Sequence, residues 1–78
     1  MKKYSVREIL NMLKWHPSYD FSKVEIVYID RYSGNMTISA EEIESIGHKF
    51  LYLKSGKAIP QHRIVEIKYG ERTIWKRS

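Results

Sequence analysis

"IVYIDRYSGNMTISAEEIESI", residues 26–46, and "FLYLKSGKAIPQHRIVEI", residues 50–67, pass through the same residue types in the same order. Each opens as an apolar strand, reaches Ser-Gly, resumes as a short strand, breaks for four residues and ends on Ile-x-x-Ile. Ile38, Ile43 and Ile46 align with Ile59, Ile64 and Ile67 without a gap, and the loop after Gly34 is one residue longer than its counterpart. Internal repetition of this kind sets the architecture before any single residue does. It predicts two strand–hairpin–strand–corner–strand units. Gly34 and Gly56 supply the permissive backbone that the hairpin turns need. The four-residue breaks, "SAEE" and "PQHR", read as the short 3₁₀ corners that join strands in small SH3-type barrels. The pattern is compatible with one barrel built from both units and with pairing across a dimer.

The flanks fit the same picture. "VEIVYIDR", residues 24–31, puts Val24, Ile26 and Tyr28 on one face and Val27 and Ile29 on the other, so a central strand covered on both sides is expected. "EIKYGERTIWKR" reads as a final hairpin turning at Gly70. Upstream, "SVREILNMLKWHP" is a helix: Ser5 and Glu8 form an S-x-x-E capping box, and Val6, Ile9, Leu10 and Leu13 line one face. Pro17 ends it, and Trp15 is expected to anchor it to the core or its edge. The predicted fold is α+β: an N-terminal helix, then a small antiparallel, partly open SH3-like β-barrel or curled sheet. We expect one domain over residues 1–78, with the helix at about 5–16 and the β-rich body at about 24–77.

Composition narrows function by exclusion. The 78 residues contain no cysteine, which removes disulfides, thiolate ligands and thiol nucleophiles and suits a reducing compartment. No run approaches the roughly 18 apolar residues of a membrane helix, and "MKKYSVREIL" lacks the apolar core of a signal peptide, so a cytoplasmic protein is expected. The formal charge is +5, with 13% aromatic residues, a composition common among nucleic-acid-binding domains.

The two corners differ in sign. Ser39-Ala40-Glu41-Glu42 carries two carboxylates where Pro60-Gln61-His62-Arg63 carries an imidazole and a guanidinium. A turn explains polarity but not this choice of sign. In one reading, Arg63 pairs with Asp30 or a corner glutamate and fastens the barrel. In another, His62 and Arg63 face an anion. A third leaves both solvated.

Catalysis is not expected. A histidine pair can act as acid and base on RNA phosphodiesters, but the H-x-T or H-x-S triplet of fused-repeat phosphodiesterases occurs only once, as "HPS" at 16–18. The other histidines lie in "HKF" (48–50) and "HRI" (62–64). A phosphodiesterase is therefore the third-ranked function. No metal is expected, because no H-x₃-H or D-x-D spacing occurs, and no cofactor, because no glycine-rich phosphate loop does.

"VYIDRYSG" at 27–34, "FLYLKSGKAIPQHRI" at 50–64 and "IKYGERTIW" at 67–75 resemble the small archaeal proteins of the RNA cyclic group end recognition family. The resemblance covers nearly the whole chain. Its most specific parts are Asp30-Arg31 before the first turn, the I-P-x-H-R-[IV] corner and Trp75. The family's usual D-R-G is D-R-Y-S-G here, with the glycine two residues later. The resemblance implies a binding module for RNA 3′ ends carrying a 2′,3′-cyclic phosphate, without intrinsic catalysis. Arg63, His62 and Arg31 would then contact the phosphate and Asp30 would orient Arg63 or His62. Trp75 or Tyr28, with Tyr69 as a further candidate, would stack the terminal base. The alternative is a protein–protein interaction module, or an accessory subunit of an RNA-processing enzyme.

Overall fold

A computed structural model describes residues 4–77. Helix α1 spans Val6–Trp15. Its N-terminus is closed as the sequence requires: the Ser5 amide donates to Glu8 Oε1 at 2.9 Å and the Glu8 amide donates to Ser5 Oγ at 3.1 Å. Val6, Leu10 and Leu13 are buried, with Ile9 packed against them. Trp15 does not join them; it is 72% exposed, with the Lys14 ammonium 5.3 Å from its ring centre. Five residues past Leu10 at 100° per residue, Trp15 leaves the buried face, so the expected anchor is a surface aromatic.

After a 3₁₀ turn at Phe21–Lys23, seven strands follow. They are β1 Val24–Asp30, β2 Gly34–Ser39, β3 Ile43–Ile46, β4 Phe50–Leu53, β5 Ala58–Pro60, β6 Ile64–Tyr69 and β7 Arg72–Lys76. Ala40–Glu42 and Gln61–Arg63 are 3₁₀ turns, at the corners the echo marks. Gly34 and Gly56 adopt φ of 77° and 96° in the two hairpins, a region closed to most side chains.

Two antiparallel sheets result, ordered β2-β1-β6-β7 and β3-β4-β5, and they do not close into a barrel. The echo explains this order. Exchange of the two units (β1 for β4, β2 for β5, β3 for β6) maps β2-β1-β6 onto β5-β4-β3. Each unit therefore completes its hairpin with the other unit's third strand. The registers agree: Ile26 sits between Ile38 and Ile67, and Leu51 between Ile59 and Ile46. Both third strands carry an extra residue just after the corner, Glu44 and Val65, where a bulge bends the strand. Helix α1 and strand β7 have no counterpart and break the symmetry.

The six aligned isoleucines of the echo reach the core, with Ile46 only partly buried. Leu10, Leu13, Val24, Ile26, Leu51, Ile59, Ile64 and Ile67 are essentially inaccessible to solvent. Each such burial contributes about 1.5–3 kcal/mol. β1 is central, as expected, but covered mainly on one side: Val27 is buried while Ile29 is 47% exposed. The β3–β4 connection is tight at Gly47, where a Cβ would lie 2.9 Å from the Phe50 carbonyl oxygen. Among the described residues no helix is long and apolar enough to cross a membrane.

Candidate nucleic-acid interface

The second corner is held by residues other than Arg63. The Gln61 amide donates to the Lys49 carbonyl at 2.9 Å, and its side-chain Nε2 donates to the Gly47 carbonyl at 2.8 Å. From the other side, Arg77 Nε donates to the Ile64 carbonyl at 3.0 Å and Nη2 to the Gln61 carbonyl at 3.3 Å. Gln61 and Arg77 thus fix the turn between the β3–β4 connection and the end of β7. The Arg63 side chain has no hydrogen bond, ion pair or ring contact among the described residues, so the expected clasp to Asp30 or a corner glutamate does not form.

The first corner shows what its counterpart lacks. Glu42 occupies the echo position of Arg63, and Ser39 that of Pro60. The Ser39 amide donates to the Glu42 carboxylate at 2.9 Å, closing the turn from within. Pro60 has no N–H to offer. A carboxylate at position 63 would find no such donor, so the fold makes no demand on the sign there.

His62 and Arg63 are adjacent, yet they line different depressions. Arg63, half-buried, shares a pocket of about 90 Å³ with Tyr28, Asp30, Lys57 and Pro60. His62 is exposed and lines a groove of about 1220 Å³ between α1 and β7, beside Trp75 and Arg77. Arg31 is exposed on the β1–β2 turn and lines neither. The structure therefore divides the expected cluster in two.

Lys57 organises the pocket. Its ammonium lies 3.1 Å from the Tyr28 hydroxyl and 3.4 Å from Asp30 Oδ2. The Tyr28 hydroxyl, then Asp30, raise the Lys57 pKa above 10.5. Asp30 Oδ1 accepts the backbone N–H groups of Tyr32 at 2.8 Å and Ser33 at 3.1 Å. These bonds, with Lys57 as a smaller cause, hold its carboxyl below the ordinary 3.8. Asp30 bonds neither Arg63 nor His62 among the described residues; it orients Lys57 and closes the turn at 31–33. The Tyr28 ring, only 4% exposed, belongs to the core by strand alternation, and its hydroxyl is the part at the pocket. A base cannot stack on it. Tyr69 is likewise committed: it is half-buried against the core, and its hydroxyl accepts the Asp20 amide at 2.7 Å.

A pH dependence follows from Asp30. Its folded pKa is depressed, so its contribution is present above the ordinary carboxylate range and is lost as pH falls through the folded value. Asp30→Ala is expected to be less stable than the unaltered chain at neutral pH, with the gap closing between about pH 5 and pH 2. Denaturant midpoints across that range would check this; a gap independent of pH would rule out the charge as its source. Lys57 is the mirror case, contributing at neutral pH and losing its effect only as pH rises past its raised pKa.

Sequence reasoning missed Lys57, Gln61 and Arg77. Lys57 sits in "SGK", which reads as an ordinary hairpin, and Arg77 in a terminal basic run. For Lys57 there was no local signal, because its contact with Asp30 depends on β5 lying across the end of β1. For Arg77 there was none, because its role depends on β7 pairing beside β6.

Residues 1–77 match the family model described as MJ1316 RNA cyclic group end recognition domain. A UPF0248 protein of Archaeoglobus fulgidus is 56% identical over 68 residues, covering 87% of this chain and 99% of that protein. A UPF0248 protein of Saccharolobus islandicus is 33% identical over 78 residues, covering 92% and 98%. One of Metallosphaera sedula is 28% identical over 74 residues, covering 95% and 94%. No solved structure matches the chain. With the family model matched from the first residue to Arg77, and archaeal relatives aligned over nearly their full length, the chain belongs to the MJ1316 RNA cyclic group end recognition domain family.

Proposed function

We propose that the chain is an RNA-binding module that reads 3′ ends carrying a 2′,3′-cyclic phosphate, with Arg63 and Lys57 as the phosphate contacts. The observation that carries this is the Arg63 guanidinium, without a partner among the described residues and half-buried beside Lys57 in a pocket of about 90 Å³. That volume suits a phosphate group rather than a nucleoside. Desolvation strengthens a guanidinium's pull on an anion, and its fork can donate two parallel bonds to the non-bridging oxygens.

Charge favours the cyclic ester in particular. The pocket holds two cations and one carboxylate, a net of one positive charge. Asp30 does not repel the ligand strongly, because Oδ1 is committed to two backbone N–H groups and Oδ2 faces Lys57. A 2′,3′-cyclic phosphate is a diester with one negative charge, whereas a terminal monoester carries about 1.5 to 2 at pH 7. The net charge therefore matches the cyclic end. The pocket then binds the end without chemistry: Asp30 is held by two backbone N–H groups and by Lys57, and Lys57 and Arg63 serve as anion donors. In this reading His62 and Arg31 act on flanking phosphates rather than on the terminal one.

The test is a titration, at fixed and stated salt, of one short RNA with four 3′ ends: cyclic phosphate, 3′-phosphate, 2′-phosphate and free hydroxyl. The cyclic end is expected to bind at least about tenfold more tightly than the others, a difference of roughly 1.4 kcal/mol. Equal affinity for all four would overturn the reading and return attention to a protein partner.

A further inference from the structure

The groove between α1 and β7 is far larger than the pocket, at about 1220 Å³ against about 90 Å³, and the proposed phosphate contact does not use it. One wall is α1, presenting Ile9 and the exposed Met12; the other is β7, presenting Ile74 and Trp75. Lys76 and Arg77 add positive charge, and His62 adds a ring N–H donor. The acidic residue on its lining, Glu8, is engaged by the Ser5 amide at the helix N-terminus.

Arg77 is built into this surface. Two backbone carbonyls fix its guanidinium, which stands 5.1 Å from the centre of the Trp75 ring. A flat cation held over an indole offers a stacking platform that any base can use, and apolar walls with a cationic rim suit a single strand. The groove also shares a wall with the phosphate pocket: Gln61 and His62 line the one, Pro60 and Arg63 the other. The two depressions thus flank one 3₁₀ turn.

We infer that the α1–β7 groove binds the nucleotides that precede the RNA end, with bases against Trp75 and Arg77 and phosphates near His62 and Lys76. This rests on the end-reading proposal for the position of the terminus. It adds a second site that makes affinity depend on RNA length. The charge of the rim argues for a polyanion over an apolar protein segment.

Three probes separate the two ideas: adenosine 2′,3′-cyclic phosphate, a ten-nucleotide oligoadenylate ending in the cyclic phosphate, and the same oligomer ending in a hydroxyl. The cyclic decamer is expected to bind at least about tenfold more tightly than the mononucleotide. The double variant Ile74→Glu/Lys76→Glu is expected to lose at least about tenfold on the decamer, while its mononucleotide affinity stays within about twofold. Both residues are exposed, and a thermal melt confirms that the variant folds. Met12→Glu, on the opposite wall, gives an independent check in the same direction.

Equal affinity for mononucleotide and decamer, or a decamer indifferent to all three substitutions, would overturn the groove assignment. A free protein that sediments as a dimer, returned to monomer by Met12→Glu, would give the groove to a second copy and overturn it too. If decamers with cyclic and hydroxyl ends bind equally, yet still more tightly than the mononucleotide, the end-reading proposal fails and the groove assignment stands.

Discussion

Ile67→Ala is expected to remove about 2–5 kcal/mol of folding stability. The side chain is fully buried on β6, with Ile26 opposite it on β1 and Trp75 on β7. Truncation loses the transfer free energy of the deleted groups and leaves a cavity that two flanking strands hold open. A chain of 78 residues has a total stability of roughly 4–12 kcal/mol, so this one change removes a large share. The melting temperature should fall by roughly 10–30 °C. The internal echo supplies a control. Ile46 is the equivalent residue, but β3 is an edge strand and Ile46 is only partly buried. Ile46→Ala should therefore cost markedly less. Calorimetry or denaturant unfolding of the pair decides it; equal losses would mean that β7 does not shield Ile67 as its pairing implies.

The contrast between these isoleucines also marks how far the fold is legible in sequence. The echo places both in corresponding strands, and both corners fall where the four-residue interruptions stand. Hydrophobic alternation and glycine positions are local signals, so helix, hairpins and corners can be read along the chain. The exchange of third strands cannot, because "IESI" and "IVEI" would pair equally well within their own units. Nor can the unequal burial of Ile46 and Ile67, which depends on where β7 adds. The first strands of the two units are matched only by the registers, which make Leu51 the equivalent of Ile26 and leave Phe50 exposed.

The site was legible by residue type and misleading by adjacency. Asp30, Tyr28 and Arg63 do meet at one pocket, and His62 and Trp75 at one groove. Two consecutive residues in a 3₁₀ turn project about 120° apart, so His62 and Arg63 diverge although the sequence sets them side by side. The partner assigned to Asp30 was wrong for a related reason: Lys57 approaches along the neighbouring hairpin, a contact that exists only once β5 lies across the end of β1.

Arg63→Ala and Glu42→Ala should have opposite signatures, and this is the sharpest test of why the two corners differ in sign. Glu42 bonds the Ser39 amide and completes its own turn. Its removal resembles the loss of a capping interaction and should cost about 0.5–2 kcal/mol. Binding of a cyclic-phosphate end should be unchanged, because Glu42 does not line the pocket. Arg63 bonds nothing within the described chain, so Arg63→Ala should leave the melting temperature within a few degrees, about 0.5 kcal/mol. Cyclic-end affinity should fall by roughly 10- to 150-fold, the range of a lost charge-assisted contact of about 1.5–3 kcal/mol. Arg63→Lys should recover only part of it, since an ammonium keeps the charge but not the paired donors. If Arg63→Ala instead melts early and binds normally, position 63 is structural despite its missing partner, and the fold rather than a ligand selects the arginine. If it folds and binds normally, Lys57 alone seats the phosphate. Loss of binding in a variant that keeps its stability would establish that one repeat uses this corner position to close a turn and the other uses it to hold an anion.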